Sequence, residues 1–148
     1  SLRRRISYLQ QTPTMIEGSI EDNLNLPFHF KSGRQLNRPS QKILEQMLGN
    51  FLLTSIDLQS NAQNLSVGEK QRIALIRTFL SEPEIILCDE PTSALDSESQ
   101  KIMENAIEQI NVEKKTTVLL VTHLDFIPKR AIVKKFTLNQ DSIIGEEK

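Results

Sequence analysis

The 148-residue sequence predicts an α/β protein built on a parallel sheet with a separate helical lobe, and three observations carry that expectation. Ile85-Ile86-Leu87-Cys88 is a continuous apolar run bounded by charge, the pattern of a strand buried on both faces. Thr117-Val118-Leu119-Leu120-Val121 is a second buried-strand run, and between the two Ile102, Met103, Ala106, Ile107 and Ile110 recur at helical spacing after Ser97. Strand, helix, strand in that order asks for a crossover connection and parallel pairing. Residues 19–80, by contrast, carry only helix and loop patterns, which predicts the lobe.

The remaining elements follow in order. Residues 6–10 (Ile-Ser-Tyr-Leu-Gln) read as a strand leading into the loop Gln11-Thr12-Pro13-Thr14. Ser19 with Asp22 three residues on predicts a helix N-cap, and Pro27 predicts the stop. Residues 31–39, with Gly33 and Pro39, read as a loop. A helix is expected from Ser40, with Ile43, Leu44, Met47, Leu48 and Phe51 on one face, and residues 54–64 read as loop or short turns. Ser66 and Glu69 form a capping box for a helix reaching about Leu80, ended by Pro83. Residues 132–138 and 142–145 read as closing strands.

Composition excludes several classes. Hydrophobic residues at 38% and charged residues at 25% are ordinary for a soluble globular protein. No apolar run approaches the roughly eighteen residues that cross a bilayer, so any membrane connection is expected through a partner. A net charge of -1 provides no field for nucleic acid, and no nucleic-acid partner is expected. Arg3-Arg4-Arg5 is a short exception, read as the solvated start of a strand. The single cysteine, Cys88, cannot form an internal disulfide and reads as a small buried hydrophobe in a reducing compartment. Because residue 1 is Ser and a strand pattern starts almost at once, the chain is expected to begin inside a domain.

Chemistry concentrates where the first apolar run meets Asp89 and Glu90. Two carboxylates at the C-terminal end of a buried strand stand where α/β sheets bind ligands. Asp89 can hold Mg²⁺, usually through water, and Glu90 can orient and deprotonate a water that attacks a γ-phosphate. A strand that merely ends in solvated acids is the plainer alternative.

The acids have company on both sides. Leu65-Ser66-Val67-Gly68-Glu69-Lys70-Gln71-Arg72 lies upstream and Pro91-Thr92-Ser93-Ala94-Leu95-Asp96 downstream. With these, the chain resembles the ATP-binding cassette (ABC) ATPase family, whose signature motif, Walker B strand and D-loop occur in this order and at this spacing. The resemblance implies an α/β P-loop NTPase (RecA-like) core, incomplete at the N-terminus, with an inserted ABC-type helical subdomain. It divides the chain into 1–18 (core strand and Q-loop), 19–80 (helical subdomain ending in the signature helix) and 81–148 (the rest of the core). It also implies ATP and Mg²⁺ as cofactors, with catalysis by Glu90, His123 and Gln11 and metal contacts from Asp89 and Gln11. His123, in Val121-Thr122-His123, matches the family's switch histidine, and Gln11, in Tyr8-Leu9-Gln10-Gln11-Thr12-Pro13, matches its Q-loop glutamine. His29 has no such context and reads as a surface residue.

Ser66 and Gly68, at a helix N-terminus that favours anions, are implied to meet the γ-phosphate of ATP held by the opposite protomer. Val67, Glu69, Ser93 and Asp96 complete the nucleotide-facing segments. Val67 and Glu69 depart from the family's Leu-Ser-Gly-Gly-Gln. Val67 requires ordinary backbone angles, and Glu69 is expected to turn to the backbone, or to Lys70 and Arg72, and away from phosphate. Thr14, Met15, Ile16 and Glu17 fall where family members meet a membrane subunit; lobe core is the other reading of Met15 and Ile16.

The implied partners are a transmembrane permease subunit and a second ATP-binding subunit in a head-to-tail dimer. The implied location is peripheral, on the cytoplasmic face of the membrane. A soluble non-transport ABC ATPase and a non-catalytic regulatory module are the rival readings. The Gln-Thr-Pro-Thr loop, short lobe and Ser-Ala-Leu-Asp segment look similar to bacterial members linked to metal or iron export. None of the five glycines, at 18, 33, 49, 68 and 145, begins a Gly-x-x-x-x-Gly-Lys-Ser/Thr loop, so the α- and β-phosphates lack a cradle. These 148 residues alone are therefore expected to bind ATP weakly or not at all; calorimetry that returns a micromolar affinity contradicts this.

Overall fold

The computed structural model of the chain describes residues 5–30, 36–139 and 142–146. β1 (Ile6–Leu9), β2 (Ile85–Asp89) and β3 (Thr117–Val121) form a parallel sheet in that order. Among the described residues four α-helices accompany it: α1 (Ile20–His29), α2 (Gln41–Asn50), α3 (Val67–Leu80) and α4 (Ser97–Lys114). β4 (Lys135–Asn139) and β5 (Ser142–Glu146) make a separate antiparallel pair, so the closing strand expected from residue 132 starts three residues later. Arg3 and Arg4 and the first half of the 31–39 loop lie outside the described residues.

Side-chain caps set the helix starts. Ser19 and Ser66 each form a full capping box, with Asp22 and Glu69 reaching back to the cap backbone. The turn before Ser19 needs glycine, because Gly18 has φ +123 and a Cβ there would stand 2.8 Å from Asp22 Oδ2. α1 runs past Pro27 to His29, against the expected stop. Pro27 falls in the last turn, where the ring costs one backbone bond and no further turn depends on it.

One cluster of buried side chains joins sheet and helices. Leu9, Ile86 and Cys88 pack with Ile73, Leu75 and Ile76 of α3 and with Met103, Ile107 and Ile110 of α4. Burial pushes the Cys88 thiol up to about 12, which keeps it uncharged. Leu44, Leu48 and Phe51 bury the predicted face of α2, while Ile43 stays exposed. Met15 is core, as the second of its two readings has it, while Ile16 is half-buried.

The strands are less enclosed than their apolar runs suggest. β2 buries Ile86 and Cys88, but Ile85 and Leu87 on its other face are half-buried. β3 lies at the sheet edge with Leu119 and Val121 exposed at 55% and 47%. A continuous apolar run reports what a strand can bury on either side, not what lies against it.

Backbone bonds align the three strand starts: Glu84 N–H donates to Arg5 carbonyl and Thr117 N–H to Glu84 carbonyl, both at 2.9 Å. The chain after β3 is tied to α4 by Glu108, buried on that helix. Its Oε1 accepts the backbone N–H groups of Arg130 and Ala131. The Arg130 amide is the main cause that holds the Glu108 carboxyl below the usual carboxylate range. The stability gained from this depressed pKa is complete above the unfolded value of about 4.3 and is lost as pH falls through the lower folded value. Glu108→Gln is thus expected to destabilise most near neutral pH, with the gap to the native chain closing in acid. Urea unfolding across a pH series checks this, and a gap independent of pH overturns it.

Candidate functional site

The sheet's C-terminal edge gathers the predicted residues. β2 ends at Asp89, and Glu90 turns the chain with φ +46, a left-handed conformation that side chains with a Cβ avoid. The turn is fixed by the Glu90 N–H, which donates to the Val121 carbonyl at 2.9 Å. The reversal separates the two carboxylates, Asp89 being engaged from β1 and Glu90 from the loop after β3.

On the β3 side, His123 Nδ1 lies 2.7 Å from Glu90 Oε1. An ionised carboxylate only accepts, so the proton of this contact belongs to Nδ1. Glu90 Oε2 is buried and has no partner among the described residues. A buried carboxylate oxygen without a donor is costly unless something outside the protein supplies one.

On the β1 side, Tyr8 hydroxyl donates to Asp89 Oδ2 at 2.9 Å. That bond is the main cause that raises the Tyr8 phenol above its ordinary value. Gln11 Nε2 donates to Ser93 Oγ at 3.1 Å, and Ser93 Oγ donates in turn to Glu90 carbonyl at 3.0 Å. Gln11, Ser93 and Glu90 thus form one chain of hydrogen bonds. His123 and Asp89 join it, one through the Glu90 side chain and the other as the residue before it.

Helix α3 grips the loop around Gln11 from behind. Gln71, 1% exposed, donates through Nε2 to Gln10 carbonyl at 3.1 Å, and both terminal nitrogens of Arg77 reach Thr14 carbonyl at 3.3 Å. The residues on either side of Gln11 are held while Gln11 itself is exposed.

The signature turn forms a second locus. Ser66 Oγ donates to Glu69 Oε2 at 2.7 Å and accepts Glu69 N–H at 3.3 Å. Glu69 therefore faces the cap backbone as expected, and the Ser66 hydroxyl bond is the main cause that lowers its pKa. Val67, exposed, is the first residue of α3 and needs no unusual backbone angle. A Cβ on Gly68 would stand 3.3 Å from Ser99 Oγ and 3.7 Å from Leu95 Cδ2. The turn packs against the start of α4, which Asp96 caps by accepting Glu98 and Ser99 N–H. Among the described residues, no hydrogen bond links this turn to Glu90 or His123.

Tyr8 is a member of the site that the motif does not mark and strand pairing does. Tyr8 pairs with Leu87, and side chains two apart on a strand share a face, so Tyr8 lies diagonally beside Asp89. Gln71 carried no comparable signal.

The chain is similar to known proteins in sequence and in fold. The family model described as ABC transporter matches residues 1–93. The relative named "Probable iron export ATP-binding protein FetA", of Escherichia coli (strain K12), is 37% identical over 121 residues, covering 82% of this chain and 52% of FetA. Phosphate import ATP-binding protein PstB of Borreliella burgdorferi is 38% identical over 125 residues, covering 82% of this chain and 47% of PstB. The chain therefore spans about half the length of these relatives. A solved ABC transporter, in an inward-facing conformation, superposes with a TM-score of 0.73 at 25% identity, over 97% of this chain and 58% of that one.

The Glu90 backbone conformation costs about 1–2 kcal/mol in any residue bearing a Cβ. Glu90→Gly is expected to stabilise the chain by about 1 kcal/mol, whereas Glu90→Ala, which keeps a Cβ at that φ, is not. Equal stabilities of the two variants in urea unfolding count against stored strain at this residue.

Proposed function

The chain belongs to the ABC transporter family, and from that premise we propose that it is about half of an ATP-binding subunit whose ATP hydrolysis powers transport through membrane partners. The observation that supports this reading is the convergence of Gln11, Asp89, Glu90, Ser93 and His123 at one end of β2.

The donors suit a hard divalent cation. Asp89 and the Gln11 amide offer oxygen ligands, and the orphaned Glu90 Oε2 is a buried acceptor that awaits a water. Asp89 and Gln11 would hold Mg²⁺, which when bound supplies charge neutralisation on the phosphate oxygens. Glu90 acts on the water: His123 fixes Oε1, so Oε2 is left to take the proton as the water attacks the γ-phosphate. With Nδ1–H given to Glu90, the second ring nitrogen donates to a phosphate oxygen only when the imidazole carries both protons. Gln11, exposed and uncharged, can leave Ser93 for the metal without desolvating a charge. Catalysis is then positioning and charge stabilisation at a strand tip.

Ser66 and Gly68 serve the ATP of a second subunit in a head-to-tail dimer, with Val67, Glu69, Ser93 and Asp96 around it. Ser66 hydroxyl has to turn from Glu69 to meet that phosphate. Residues 1–18 and 81–148 act as core and 19–80 as the lobe that carries this turn. No helix among the described residues is long and apolar enough to cross a membrane. The likeness to ATP-binding proteins of transport systems supports a subunit that works from the cytoplasmic face, attached through a permease. FetA and PstB, an exporter and an importer by name, resemble the chain at 37% and 38% identity, which fits an engine whose cargo its partner selects.

In the full-length protein, Glu90→Gln is expected to cut ATP turnover at least a hundredfold while retaining ATP, trapping a closed dimer visible by size-exclusion chromatography; the factor follows from losing about 10²–10⁴ of general-base catalysis. Normal turnover in that variant removes Glu90 from its role.

A further inference from the structure

Asp89 receives its hydrogen bond from Tyr8, on a neighbouring strand and 81 residues away in sequence. We propose that Tyr8 is a positioning residue for the metal carboxylate: its phenol fixes the torsion of Asp89 so that the carboxylate meets Mg²⁺ in one orientation. The inference rests on the reading of Asp89 as a metal ligand and goes beyond it by assigning the residue that aims the ligand.

The backbone of Asp89 is held by pairing with Val121, but pairing does not set a side-chain torsion. A carboxylate at a strand end can rotate toward solvent, toward β3 or toward β1. Among the described residues, the one hydrogen bond to the Asp89 carboxylate comes from Tyr8. Strand register makes this contact specific. Tyr8 is paired with Leu87, Asp89 is the next residue on the same face, and the diagonal between them is one that an aromatic side chain spans. A phenol is a suitable partner for the purpose, because it donates one proton to one carboxylate oxygen and brings no charge that would compete with the cation. Outer partners of this kind hold metal ligands in place, and their loss costs about 10–100-fold in metal affinity.

Tyr8 also lies three residues before Gln11 on one continuous segment. The end of β1 thereby governs both proposed metal contacts, one through a side-chain bond and one directly. Tyr8 is 53% exposed, so the hydroxyl contributes little to packing and its removal is readable as a change in the site.

The test is Mn²⁺ binding to the full-length protein with ATP present, followed by electron paramagnetic resonance, for the native protein, Tyr8→Phe and Asp89→Asn. The expected result is roughly tenfold weaker Mn²⁺ binding in Tyr8→Phe and a larger loss in Asp89→Asn, with the thermal midpoint of Tyr8→Phe close to native. Native Mn²⁺ affinity in Tyr8→Phe beside a loss in Asp89→Asn overturns the role of Tyr8 and leaves Asp89 a ligand. Native affinity in Asp89→Asn overturns the reading beneath it. Should Tyr8→Phe fail to fold, Tyr8→Met, which also lacks a donor, is measured in its place against the same two outcomes.

Discussion

How β2 ends governs everything at this site. The central strand carries Asp89 as its last paired residue, and at Glu90 the chain enters a left-handed turn pinned to Val121 of the neighbouring strand. Without that turn the two carboxylates would alternate across the sheet as ordinary strand neighbours do. With it, one engages the β1 side through Tyr8 and the other the loop after β3 through His123. A strained residue survives in such a place because strands on both sides over-determine its backbone.

Strands set the positions of the acids, and helices set what approaches them. α3 links the two loci: its N-terminus is the Ser66–Glu69 cap, and its body carries Gln71 and Arg77, which hold the backbone on either side of Gln11. A displacement of α3 therefore moves the cap and the base of the Gln11 loop together. Gln71 is buried with its Oε1 unpartnered among the described residues, so the bond to Gln10 is kept at some cost in desolvation. On the opposite side, Glu108 of α4 secures the irregular segment that follows His123, which lets a loop without regular structure leave the site in a defined direction.

What was legible in the sequence depended on the range of the interaction. Ser66 and Glu69 are three residues apart, and a capping box is a local device, so the start of α3 could be read directly. Parallel pairing followed from element order, and the placement of Asp89 and Glu90 at a strand tip followed from an apolar run that meets two acids. Features that depend on what packs from elsewhere were not legible. Met15 had two readings, docking surface or lobe core, and only packing chose the core; the outer face of β3 stayed exposed although its residues are apolar. Pro27 shows the limit of a local rule, since its effect depends on how much helix follows it. Tyr8 needed the register between β1 and β2, which joins residues that no sequence window contains together.

The central claim is that Asp89, Glu90 and His123 surround the γ-phosphate end of one bound nucleotide. A crystal structure of the full-length protein with Mn²⁺ and a non-hydrolysable ATP analogue tests it most directly, because anomalous scattering locates the metal without assumption. The account places the metal beside Asp89 and Gln11, and an ordered water at Glu90 Oε2. A metal and triphosphate seated away from the tip of β2 would contradict it.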